Sequence, residues 1–532
     1  MKIYFIGICG TAMGNAALLM RALGHEVCGA DTGVYPPMSD MLRDAGVEVL
    51  GGWDVARLAA LAPALVVVGN AVSRGHPEVE WLLETRAIPF VSLPELLRTQ
   101  LLCRRRNIVV AGTHGKTTTT CLAAALLRAN GCDPGWLVGG VPRDLPSGAA
   151  PGRDGGTFVI EGDEYDTAFF DKRSKFIQYL PDVLVLNNIE FDHADIFRDL
   201  EDVLRTFTHL TRLVPRNGVI IANGDDANVE RVLAGVTWCP VVRVGVGAGN
   251  ETENRTGAGA GNDMRIVDFS ENAAGASFRL LWHGELWGEV RWSLPGLFNA
   301  RNAAMAATAV AVAMAPPPSP SLPSTPLPTP LSTSSAPSTS STPSLPDLSV
   351  FAAFQGVKRR QEQHAAAAGL VVLEDFGHHP TALALTLESL RRRYPRHRLH
   401  AAFEPRSNTA TRRILQDAFC DALAVADAVW LAPVHRGEKI PADGRFDTAA
   451  VAAALRVRGS EAFVAESCDA LFDALAGAVL PAVPESPCVV VFFSNGDFGG
   501  VIRRFVGAAR GGEGAGDAGG AGDAGDAGDE RI

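Results

Sequence analysis

Ile108-Val-Val-Ala-Gly-Thr-His-Gly-Lys-Thr-Thr-Thr-Thr120 is the stretch that decides the fold. It opens as a β-branched run, turns through glycine, and sets Lys116, Thr117 and Thr118 ahead of a helix-forming segment, Cys121 to Asn130. A strand, a glycine loop and a helix in that order aim backbone N–H groups and a helix amino end at one point. Gly112, Thr113, His114 and Gly115 would cradle phosphates there, Lys116 would reach the terminal ones, and a threonine hydroxyl would ligate Mg²⁺. The spacing departs from GxxxxGK[ST], because Val110 stands where the first glycine belongs. Gly-Lys-Thr between strand and helix still predicts a nucleoside-triphosphate site.

Outward from this loop, short apolar runs recur between longer Ala/Leu segments: 3–6, 64–68, 158–160, 183–186, 371–373 and 489–493. Continuous rather than alternating apolar runs suit strands covered on both faces, which predicts α/β architecture with parallel sheets. Two of these strands deliver acids. Glu161, Asp163, Glu164 and Asp166 follow the run at 158–160, and Glu190, Asp192, His193 and Asp195 follow the run at 183–186 through an Asn-Asn pair. A histidine among acids beside a phosphate loop predicts contact with a metal or a phosphate.

At the amino end, Gly7-Ile-Cys-Gly-Thr-Ala-Met-Gly14 follows a strand, and Asp31 follows the next. This is GxxGxxxG rather than GxGxxG, so it supports a phosphate-bearing nucleotide ligand without saying which. In the last third, Gln355-Gly-Val-Lys-Arg-Arg-Gln-Glu362 is basic, and Arg360 and Asp375 stand 15 positions apart. Both would close over a nucleotide; a solvated basic face accounts for 358–360 equally well.

The chain has 532 residues, more than one core holds, and a net charge of −11. That charge disfavours bulk nucleic-acid and anionic-lipid binding, and no uncharged apolar run is long enough to cross a bilayer. Nine scattered cysteines with no CxxC pair read as reduced thiols, and glycines interrupt the first apolar run where a secretion signal would be continuous. A cytoplasmic location is expected. Residues 316–346 carry 11 prolines and no charge, and the chain after Gly511 is Gly, Ala and Asp repeat, so disorder is expected in both. Gly245 to Asn262 reads as a surface loop. The resulting division is 1–104, 105–314, a linker at 315–347, 348–508, and a tail at 509–532.

The set GICGTAMG, GTHGKTTTT, EGDEYD, NNIEFDHAD, NARNA, GVKRR and EDFGHHPT resembles the Mur ligase family over nearly the whole chain outside linker and tail. The resemblance implies three domains: a Rossmann-like one binding a UDP-sugar, a P-loop-type central ATPase and a Rossmann-like carboxyl-terminal one. It implies ATP and Mg²⁺, with Gly10, Thr11, Asp31, Asn70 and Ser73 at the UDP-sugar and Lys116 on the β- and γ-phosphates. Thr117 and Glu164 would bind one Mg²⁺ and His193 a second metal, with Lys116, Glu164 and His193 as the catalytic set. Asn299 and Asn302 match positions near the adenine, and Arg360 and Asp375 match the last-domain arginine and ribose-facing aspartate. Phe298 departs from the family's histidine, Glu374 replaces an aspartate, and the proline-rich insertion has no counterpart. Motifs at 34–38, 168–176, 404–409 and 494–500 resemble the branch that joins L-alanyl-γ-D-glutamyl-meso-diaminopimelate to UDP-N-acetylmuramate for peptidoglycan recycling. Arg406 is then the candidate clamp for a distal carboxylate, with a surface ion pair as the plain alternative.

Three other readings stand beside this one. A UDP-N-acetylmuramate L-alanine ligase shares the chemistry and differs in nucleophile size. A nucleotide-binding module without chemistry would not need the acids at 161–166 or His193. An NAD-dependent oxidoreductase rests on the first glycine loop alone.

Overall fold

The computed structural model describes residues 1–246, 261–315, 344–367, 369–481 and 486–510. Most of the expected Gly245–Asn262 loop, of the proline-rich segment and of the tail lies outside them.

The first sheet contains β1 (Lys2–Ile6), β2 (Glu26–Asp31), β3 (Glu48–Gly51), β4 (Leu65–Val68) and β5 (Phe90–Ser92) in the order β3-β2-β1-β4-β5, every pair parallel. Strand order reverses between β1 and β4. Their carboxyl ends therefore open a crevice, and the loops beginning at Gly7 and Gly69 border it.

The central sheet is built from β6 (Arg106–Ala111), β7 (Gly135–Leu137), β8 (Ala149–Ala150) and β9 (Thr157–Gly162), then, after a separate antiparallel pair, β10 (Asp166–Ala168) and β11 (Asp171–Ser174), from β12 (Val183–Leu186), β13 (Val219–Asn223), β14 (Val241–Gly245), β15 (Met264–Asn272), β16 (Gly275–Trp282) and β17 (Glu285–Trp292). Its order is β17-β16-β15-β14-β13-β12-β6-β9-β7-β8. From β14 to β7 all pairs are parallel, as expected, and antiparallel strands, β15–β16–β17 and β7–β8, are added at the two edges. The β16 and β17 stretches alternate exposed and buried residues, as edge hairpins with one wet face do. Strands β9 and β12, which carry the two acidic clusters, share this sheet with β6 between them.

The helix Leu297–Met314 is buried almost all round, because alanines on every side let neighbouring backbones approach closely. It packs on the helix Lys116–Ala129, which begins at the lysine itself rather than at Cys121.

The third sheet contains β18 (Glu362–Ala367), β19 (Leu370–Asp375), β20 (Arg398–Phe403), β21 (Ala428–Leu431), β22 (Glu461–Val464) and β23 (Cys488–Phe493), ordered β18-β19-β23-β20-β21-β22 and parallel except for β18. Phe403, Phe419, Phe446, Phe492 and Phe493 are fully buried here, and truncating one to alanine would cost about 3–5 kcal/mol. Leu348, Phe351, Phe354 and Val357, at the start of the unit expected over 348–508, are buried in the central core. Asp347, at the end of the expected linker, is also tied in, its N–H donating to Asn130 Oδ1 at 2.7 Å. All nine cysteines are free thiols, and no described helix is long and apolar enough to cross a membrane.

Candidate active site

The turn after β6 takes conformations that favour glycine, with φ of +136° at Gly112 and +80° at Gly115. A Cβ on Gly115 would lie 2.5 Å from Asn302 Oδ1 and 2.9 Å from Asn187 Nδ2, so the loop is pressed onto two asparagines. The Asn-Asn pair after β12 fixes its shape. Asn188 Oδ1 accepts the His114 N–H at 2.7 Å, and Asn187 donates to Thr119 Oγ1 at 3.1 Å. Gly115 precedes the helix Lys116–Ala129 as its N-cap, and no described side chain caps it. Its first N–H groups therefore remain for an outside oxygen, which fits a phosphate.

Lys116 Nζ donates to Glu164 Oε2 at 2.7 Å and to the Gly112 carbonyl at 2.9 Å. Glu164 Oε1 lies 3.1 Å from His193 Nε2. Burial of Glu164 would raise its pKa, but the Lys116 and His193 charges outweigh that and hold it below the usual range. Burial likewise opposes charge on His193, and the Asp192 and Glu164 carboxylates overcome it, raising the imidazole to about 9. Lys175, 2.6 Å from Asp163, overcomes the burial of that carboxyl and lowers it to about 2.

Thr117 turns to a different acid. Its hydroxyl donates to Glu161 Oε2 at 3.1 Å, and Glu161 Oε1 accepts the Gly139 N–H at 2.7 Å. The resemblance sets Thr117 with Glu164 on one Mg²⁺, whereas the hydroxyl itself bonds Glu161. A hydroxyl and two carboxylates beside the phosphate loop form a donor set that fits a hard divalent cation.

The third sheet closes one side. The Arg360 guanidinium stacks over Phe376, 4.5 Å from the ring centre, and faces the charges of Asp375 and Glu161, while its burial pulls its pKa down. Asp375 is spanned by backbone donors, from Gly377 at 2.7 Å and Gln361 at 3.0 Å. Glu374 bonds Arg359 and His364 instead, each at 2.7 Å. Glu190 reaches across the seam, meeting His114 Nε2 at 2.7 Å, the Thr381 hydroxyl at 2.9 Å and His379 Nδ1 at 3.2 Å. His114, Glu190 and His379 offer ligand atoms within 4.8 Å of one another.

Other expected residues are placed as follows. Asn299 Nδ2 donates to the Pro295 carbonyl at 2.7 Å, and Asn302 Nδ2 to Asn299 Oδ1 at 3.4 Å. Phe298 stacks its ring on Gly296, whose φ is +93°. In the first unit, Asp31 takes N–H groups from Cys9 at 2.8 Å and Gly33 at 2.9 Å, so it shapes the glycine loop. Gly10 precedes the helix Thr11–Ala22, which no described side chain caps. Both amide atoms of Asn70 are buried without a hydrogen-bond partner among the described residues, which fits a missing polar ligand; Thr11 and Ser73 are exposed. Arg406 is not a surface arginine. It lies against Gly496, 3.3 Å from His435 Nδ1 and 3.7 Å from Glu404 Oε1.

Three family models match the chain in the order of its three sheets: "Mur ligase family, catalytic domain" at 2–105, "Mur ligase middle domain" at 110–311, and "Mur ligase, glutamate ligase domain" at 359–494. The chain is 38% identical over 524 residues to the UDP-N-acetylmuramate–L-alanyl-γ-D-glutamyl-meso-2,6-diaminoheptandioate ligase of Escherichia coli K12, covering 97% of this chain and all of that one.

The chain belongs to the Mur ligase family.

Among solved structures, a murein peptide ligase from Psychrobacter arcticus 273-4 aligns with a TM-score of 0.64 and 32% identity over 96% of this chain and 98% of that one. The UDP-N-acetylmuramate–L-alanine ligase of Oleidesulfovibrio alaskensis is 32% identical over 443 residues, 83% of this chain and 86% of that one. The Mur ligase family is ATP-dependent, which agrees with a phosphate loop backed by Lys116.

Proposed function

We propose that this chain joins the free amine of L-alanyl-γ-D-glutamyl-meso-diaminopimelate to the lactyl carboxylate of UDP-N-acetylmuramate in the cytoplasm, using ATP and Mg²⁺, for peptidoglycan recycling. The observation that carries the chemistry is the Glu164 carboxylate, shared between Lys116 and His193. Full-length likeness to the tripeptide ligase, closer than the likeness to the L-alanine ligase, supports the substrate.

A carboxylate is a poor electrophile, so the amide bond needs one of its oxygens converted into a leaving group. Transfer of the γ-phosphoryl group gives an acyl phosphate; the incoming amine attacks its carbonyl carbon, the C–O bond to phosphate breaks, and the amine gives up a proton. Lys116 neutralises the β- and γ-phosphate oxygens, with Gly112 to Gly115 and Thr118 around them. Mg²⁺ held by Thr117 and Glu164, with Glu161 on the same hydroxyl, and a second ion near His193, would screen charge between phosphate and carboxylate. Asn299, Asn302, Arg360 and Asp375 bind the nucleoside end. Gly10, Thr11, Asp31, Asn70 and Ser73 hold the UDP-sugar, and Arg406 receives a distal carboxylate of the peptide. The working units are 1–104 for the UDP-sugar, 105–314 for ATP and 348–508 for closure, with 348–357 seated on the central unit.

The test is phosphate release with UDP-N-acetylmuramate and ATP, comparing the tripeptide with L-alanine. Release with the tripeptide supports the reading. Preferential use of L-alanine reassigns the chain to the L-alanine ligases, and no ATP-dependent release leaves a nucleotide-binding module.

A further inference from the structure

His193 holds a left-handed backbone, φ +56°, which a side chain other than glycine adopts at a cost of order 1–3 kcal/mol. Such a conformation persists where neighbours over-determine it, and here several do. The Asp192 carboxylate accepts the His193 N–H at 2.7 Å, and the His193 carbonyl accepts two N–H groups, from Ile196 and Phe197, each at 3.0 Å. The Tyr165 ring lies edge-on, 4.3 Å from the imidazole centre, and its hydroxyl stands 3.5 Å from Asp195 Oδ1.

Two more constraints come from the third unit. The Ala194 N–H donates to Thr409 Oγ1 at 3.2 Å, and Asn408 Nδ2 donates to Asp195 Oδ2 at 3.0 Å. Thr409 is buried, and its own segment is tied together, because the Thr411 hydroxyl and N–H both donate to the Ser407 carbonyl at 3.0 Å. Residues 404–409 form the loop that also carries Arg406. The reaction leaves Asn408 and Thr409 without a role.

We propose that Asn408 and Thr409 are positioning residues that hold residues 193–195 in register, keeping the His193 imidazole on Glu164 when the third unit is docked. The inference rests on the ligase reading for its kinetic consequence, though not for its geometry. The Thr409 bond is partly buried and the Asn408 bond exposed, and both act on a segment already bent against its preference. Losing them lets the strained turn relax and takes the imidazole off Glu164. The Arg406 loop and the His193 turn are thus one mechanical unit, so seating the peptide and completing the phosphoryl-transfer site are coupled.

The experiment compares the full-length parent with Thr409→Val, Asn408→Ala, the double variant and Thr409→Ser. Two readouts are taken, steady-state kinetics and amide hydrogen exchange at residues 192–197. The double variant is expected to lose about tenfold or more in kcat with the KM for ATP within about twofold, since two hydrogen bonds of typical worth act on the turn and not on the nucleotide. Exchange at 192–197 should quicken while the β20 and β23 amides stay protected, and Thr409→Ser should restore both readouts. Unchanged exchange at 192–197 would overturn the proposal, and so would faster exchange spread through the third sheet without rescue by serine. If the parent proves inactive on the tripeptide while exchange at 192–197 still responds, the substrate reading falls and the positioning role stands.

Discussion

Glu164 Oε1 lies 3.1 Å from His193 Nε2, although β6 runs between the strands that these two residues follow. The second oxygen of the same carboxylate holds Lys116 from the head of the intervening helix. The segments that follow three neighbouring strands of one parallel sheet thus converge on a single buried acid. Its negative charge is balanced on both sides, leaving the cationic partners within reach of the phosphate loop. What distinguishes this arrangement from a simple nucleotide cradle is the histidine.

Replacement of Lys116 by alanine should lower turnover ~10²-fold or more, as loss of one preorganised charge at a transferring phosphoryl group does. Glu164 keeps His193 as a partner, so circular dichroism should show an intact fold. Activity within a few-fold of the parent would remove Lys116 from the chemistry.

His193→Ala should depress kcat while leaving nucleotide affinity nearly unchanged, because no contact ties the imidazole to the phosphate loop except through Glu164 and Lys116 among the described residues. Equilibrium ATP binding and single-turnover rates separate the two. A parallel loss of both would make His193 a structural residue.

Gly115→Ala places a methyl group against Asn302 and Asn187 at a residue whose φ is +80°. Strain and collision act together at the phosphate loop, so ATP affinity should fall roughly tenfold or more. Isothermal titration with ATP measures this; an unchanged affinity would mean that the loop can move aside without consequence.

Much of this site was readable from the sequence because its signals are local. Gly-Lys-Thr between strand and helix, and acids at two strand ends, need no long-range information to be recognised. The Asn187–Asn188 pair was visible as a motif, but its grip on the loop backbone was not. Glu161 escaped selection because it is the last but one residue of β9, and spacing alone does not say which of four nearby acids a hydroxyl meets. Contacts across the seam, such as Glu190 with His379 and Thr381, join residues nearly two hundred positions apart and leave no periodic trace. The antiparallel edge at β15–β17 was missed for another reason: its alternating pattern was not among the continuous apolar runs used to find strands.

Acid sensitivity should originate partly in the third unit. Burial pushes the His400 pKa down to about 4, with Arg398 adding to the effect, and its Nδ1 accepts the Trp430 indole N–H at 3.3 Å. The folded protein therefore keeps this ring neutral, while the unfolded chain binds a proton near pH 6.5. Its contribution is fully present above about pH 6.5 and is lost as pH falls toward 4, amounting to roughly 2 kcal/mol by pH 4.5. Urea midpoints at pH 7 and 4.5 should draw closer together in His400→Gln than in the parent; equal pH dependence in the two would count against a buried neutral histidine.

Whether this phosphoryl-transfer site serves a peptide nucleophile is decided by kcat/KM, measured by phosphate release with UDP-N-acetylmuramate, ATP and Mg²⁺. The tripeptide should be strongly preferred to L-alanine, since its distal carboxylates supply binding energy that orients the amine, and Arg406→Ala should narrow that preference. A preference for L-alanine, undiminished in Arg406→Ala, would contradict the account.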